Sequence, residues 1–66
     1  MKYHELLDLI ATRSEREYDL RAQALYRMMD AVEIETGEWP KWSDEAPDWI
    51  VNQFINLIKE KGWKRA

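Results

Sequence analysis

Apolar residues recur along this chain at intervals of three and four, the spacing of a helix, and no stretch sustains the alternation of a strand. Start and stop signals divide it into three segments. The first, about 2–11, places Tyr3, Leu6, Leu7 and Ile10 on one face with Glu5 and Asp8 off it. So short a helix does not persist alone in water, so it is expected to dock. Ser14-Glu15-Arg16-Glu17 then has the form of a capping box, in which Ser14 caps and Glu17 reaches back. We read Thr12–Ser14 as a break. The alternative is one helix over 2–36, since no residue there forbids it.

The second helix, about 15–36, carries two seams. Tyr18, Ala22, Leu25, Met29, Val32 and Thr36 are spaced 4, 3, 4, 3, 4. Leu20, Ala24, Arg27, Ala31 and Ile34 repeat 4, 3, 4, 3 on nearly the opposite side. A helix with two seams needs two neighbours. Gly37 supplies the left-handed residue that ends it.

A Trp-Pro loop follows over 38–46. Ser43 is a good N-cap, Asp44 and Glu45 suit a helix N-terminus, and Pro47 is tolerated in a first turn. These place a third helix at about 44–61. Its Ile50, Val51, Phe54, Ile55, Leu57 and Ile58 span an arc of about 160° at roughly 100° per residue, which predicts a central core helix. Gly62 fits the turn of a Schellman motif that would bring Trp63 against Ile58. The expected fold is a single all-α three-helix domain.

Length and composition sharpen this picture. A 66-residue chain buries only about 60% of its unfolded surface, so one core is marginal. With no Cys, disulfides and thiolate zinc sites are excluded, and a lone His4 makes a structural transition metal a poor expectation. Self-association is the remaining supplement, and Leu20, Ala24, Arg27, Ala31 and Ile34 are the candidate residues. The expected arrangement is antiparallel or crossed self-pairing in a two-fold homodimer, in which Arg27 finds an acidic mate, Asp30 or Glu35 of the other copy.

The net charge is −3, but it is uneven: residues 1–36 and 37–49 each carry −3, and 50–66 carry +3. Asp30, Glu33, Glu35 and Glu38 collect where they oppose the helix dipole, either as a solvated face or as a contact for a basic surface. Met1-Lys2 is not followed by an apolar leader and no stretch has transmembrane length, so the expected location is cytoplasmic, away from membranes.

Catalysis has little to stand on. His4 and Asp8 are one helical turn apart without an accompanying nucleophile, and Ser14, Thr36 and Ser43 are explained by helix ends. Gly37 and Gly62 stand alone, so no phosphate loop exists, and no EF-hand pattern supports calcium. No enzyme activity, metal or cofactor is expected.

Two binding readings remain. In one, Asn52, Gln53 and Asn56 on the third helix, with Lys59, Lys64 and Arg65, contact DNA as a transcriptional regulator would. Against it, dipole complementation explains the basic residues, and the second helix would carry acids toward the phosphates. Nucleic acid is therefore the runner-up. In the other, tryptophan is the guide. Trp39, Trp42 and Trp49 lie within eleven residues, and they either plug the end of the bundle or form an exposed anchor. Trp49 falls on the polar arc of the third helix, away from Phe54 and Ile58. It is expected, with Trp42, Asp44, Glu45 and Asp48, to form an aromatic-acidic patch for a basic protein surface. The favoured function is a small non-catalytic interaction module, a homodimer that blocks or recruits a larger protein. Small acidic modulators of phages and plasmids share this size and charge, which is an analogy only.

Overall fold

Ser14 opens the longest helix as its capping sequence demands: its Oγ accepts the Glu17 N–H at 3.2 Å. Glu17 reaches back one residue beyond the expected box, accepting the N–H of Arg13. The computed structural model describes all 66 residues and contains three helices, α1 (Tyr3–Asp8), α2 (Glu15–Thr36) and α3 (Asp48–Lys61). No strand is present, so the chain is a small all-α domain. At about 1.5 Å per residue α2 is about 33 Å long, which matches the 34 Å long axis of the molecule.

α1 and α2 are separate helices, but α1 stops short of the expected Ala11. Leu9 and Ile10 N–H groups donate three residues back, to Leu6 and Leu7 carbonyls at 3.2 Å, tightening the last turn. Ala11 N–H then leaves the helix altogether and donates to Lys64 C=O at 2.8 Å. At its start, the Lys2 N–H donates to Glu5 Oε1 at 2.9 Å. That backbone bond holds the Glu5 carboxyl below its ordinary pKa, with help from the nearby positive charges.

α3 starts at Asp48, four residues later than expected, and Pro47 rather than Ser43 caps it. Residues 42–46 are needed elsewhere: Tyr3 N–H donates to Asp44 C=O, His4 N–H to Trp42 C=O, and Ala46 N–H to Met1 C=O. Ala46 precedes proline, which disfavours helix there as well. The C-termini follow expectation. Gly37 (φ 82°) and Gly62 (φ 69°) are left-handed, and Trp63 N–H donates to Ile58 C=O at 3.1 Å in the Schellman pattern. The Trp63 ring, however, finds Phe54 at 6.5 Å.

The core joins one row from each helix: Tyr3, Leu6 and Leu7 of α1, Ala22, Leu25, Met29 and Val32 of α2, and Ile50, Phe54 and Ile58 of α3, with Ile10 and Ala46 from the flanking segments. α3 is less central than its wide arc predicts. Val51, Ile55 and Leu57 are only half-buried, because two other helices do not encircle it. Tyr18, placed in the core seam by spacing, is 47% exposed. It lies in the first turn of α2, beyond the reach of α1 and α3. No helix is long and apolar enough to cross a membrane.

Candidate interaction surfaces

Because the core row of α2 faces both other helices, its remaining faces are free to meet solvent. One of them carries the second seam. Leu20 is 54% and Ile34 86% exposed, Ala31 and Arg27 are exposed, and Ala24 is half-buried. α1 docks on the core side and leaves this seam uncovered. Leu20, Ala24, Arg27 and Ala31 form one wall of an open groove of about 710 Å³, whose other wall is Trp49, Gln53 and Leu57 of α3.

Arg21 closes one end of the groove. Its guanidinium carbon lies 4.8 Å from the centroid of the Trp63 ring, and one terminal nitrogen donates to Glu17 C=O at 3.2 Å. Its Nε is buried without a partner, a cost that stacking on the indole offsets. With Arg27 and Lys61 against Glu60, the groove rim is basic in a chain that is acidic overall.

The flank of α2 on the other side of the core is aromatic. Tyr26 stands edge to face with Trp42, ring centroids 5.3 Å apart at 67°, and tilts against Trp39 at 6.1 Å. Tyr18, Asp19, Ala22, Gln23, Tyr26 and Trp42 enclose a notch of about 280 Å³. Trp42 is half-buried against the core, whereas Tyr26 and Trp39 stay 40% and 43% exposed.

The residues expected to make one aromatic-acidic patch are thus distributed. Trp49, 38% exposed, lines the groove, and Trp42 lines the notch. Glu45 is engaged by the terminal ammonium of Met1 at 3.0 Å, and Asp44 Oδ2 accepts the Lys41 N–H at 2.9 Å. Asp48 is exposed in the first turn of α3. Of the residues considered for nucleic acid, Gln53 lines the groove while Asn52, Asn56 and Lys59 are exposed along α3. Lys64 and Arg65 belong to a tail whose backbone pairs with Ile10 and Ala11.

Tyr26 and the notch were not singled out from the sequence. The signal was there: Tyr18-Ala22-Tyr26 sets a small residue between two aromatics on one face, which leaves a gap. What covers that gap, Trp42, is set by the loop and has no local sign. The His4 side chain is exposed and joins no carboxylate cluster, and no three His, Asp or Glu side chains converge as a metal ion would need. No family model, no curated protein and no solved structure matches this chain.

Proposed function

We propose that the chain is a non-catalytic protein-interaction module that pairs with a second copy along α2 and binds a larger protein with a basic surface, blocking or recruiting it. The observation that supports this is the uncovered seam, with Ile34 86% exposed at its end. An apolar row left open on so small a chain is surface that a second helix would remove from water.

The seam suits self-pairing. Ala24 and Ala31 at its middle let two helices approach closely, and an antiparallel two-fold sets Ile34 of one copy beside Leu20 of the other. On a helical wheel at about 100° per residue, Arg21 and Glu35 lie on one side of the seam and Arg27 and Asp30 on the other. Antiparallel pairing brings like sides together, so Arg21 meets Glu35 of the second copy and Arg27 meets Asp30. A stable interface covers about 800 Å² per partner. That is about a sixth of the 4748 Å² this chain exposes.

Analytical ultracentrifugation at high micromolar concentration tests the pairing. We expect a dimer mass, and a monomer mass for Ile34→Asp, whose melting temperature at low concentration, where association does not contribute, stays close to that of the unmodified chain. A monomer mass for the unmodified chain overturns the self-pairing.

A further inference from the structure

From the notch beside Tyr26 we infer a second binding site: it takes an alkylammonium cation, presented as a lysine side chain of a partner protein. This rests on the reading that the chain works by binding a basic protein surface, and it names the place and the chemistry of that contact.

The notch is built by spacing. Tyr18 and Tyr26 are two turns apart, about 12 Å along the axis, and Ala22 between them is buried and too small to fill the gap. Trp42 from the loop makes the third wall, at 67° to Tyr26. Aromatic faces are negative, and an ammonium set among several of them is attracted to each. Asp19 adds a full negative charge to the lining.

Charge around the notch points the same way. At about 100° per residue, Glu15, Asp19 and Glu33 lie within about 20° of Tyr26, and no Lys or Arg of α2 shares that arc. None of these carboxylates is paired within the chain, since the one salt bridge joins Met1 and Glu45. The flank is therefore an unneutralised acidic strip with an aromatic recess in it. A three-walled recess suits a compact ammonium better than a planar guanidinium, which stacks on a single flat face, as Arg21 does on Trp63.

The test titrates the full chain with acetyl-Gly-Lys-Gly-amide and follows the Trp42 indole N–H by heteronuclear NMR. The norleucine and arginine peptides and tetramethylammonium chloride are run beside it. We expect a saturable shift with the lysine peptide and none with norleucine. Asp19→Asn and Tyr18→Ser should each weaken binding about two- to fivefold, the size of one exposed cation contact. Tyr18→Phe, which keeps the ring face, should restore it. Tyr18 and Asp19 are exposed and outside the core, so these variants fold. Ile34→Asp should bind the peptide as the unmodified chain does, which separates failure of this site from failure of the dimer. No shift with the lysine peptide, an equal response to norleucine or arginine, or unchanged binding by both weakening variants overturns the assignment. Binding of tetramethylammonium without the lysine peptide makes the notch a site for free quaternary amines and also overturns it.

Discussion

Along α2 the row Ala22, Leu25, Met29 and Val32 is at most 9% exposed, while Leu20, Ala24, Arg27, Ala31 and Ile34, built to a similar spacing of threes and fours, rises to 86% at Ile34. The inner row is apolar throughout and the outer one except at Arg27, and both run along one helix. They differ in what stands opposite. α1 and α3 both pack on the first row, and these 66 residues form no fourth helix for the second. Periodicity states which residues share a face; it does not state whether the covering element belongs to the same chain.

The sharpest way to break this comparison is to cut into the inner row. Leu25→Ala removes a side chain with no exposed surface, a change that typically costs about 2–5 kcal/mol. Domains of this size rarely hold more than about 3–5 kcal/mol in total, so circular dichroism at 37 °C should find the variant largely unfolded. A loss under about 1 kcal/mol would mean that the row is not the core.

A smaller effect concerns Tyr3, which belongs to the same core and is 1% exposed. Burial first, and then the charge of Asp44, push its phenol pKa above the ordinary value of about 10. The fold favours the neutral phenol, so this contribution is fully present below about pH 10 and is lost as pH rises through the raised folded-state value. Urea unfolding at stepped alkaline pH should therefore show a decline in stability that Tyr3→Phe diminishes. An identical decline in both chains would place its cause elsewhere.

The smallest effect is expected in the outer row. Ile34→Ser should move monomer stability by no more than about 0.5 kcal/mol in thermal melts at low concentration, where association does not contribute. A loss comparable with that of Leu25→Ala would show that the outer row is covered within the chain after all.

The sequence was most informative where chemistry is local. Ser14, Gly37 and Gly62 mark the ends of α2 and α3 through caps that depend on a few neighbours, and all three are found in those roles. It misled where distant backbone competes. Ser43-Asp44-Glu45 has the composition of a helix start, yet the carbonyls of Trp42 and Asp44 are taken by His4 and Tyr3, and α3 waits for Pro47. The candidate surfaces were half legible. The seam from Leu20 to Ile34 follows from spacing alone. The separation of Trp42 from Trp49 depends on how the loop crosses α2, which spacing does not encode.

The N-terminal segment is held from both ends by partners far away in sequence: Tyr3 and His4 by the loop at 42–44, and Leu9 and Ala11 by the tail at 64–66. Such bonds form only after the intervening chain has been brought around, and closing a long loop has an entropic cost that precedes any gain. α1 and α2 are joined by the short segment 9–14, and α2 and α3 by the longer loop 37–47. The six-residue α1, too short to persist alone, is fastened at both ends to chain that lies beyond α2, as a clasp across the fold. The helicity of α1 is therefore tied to closure of the whole chain and not to its own sequence.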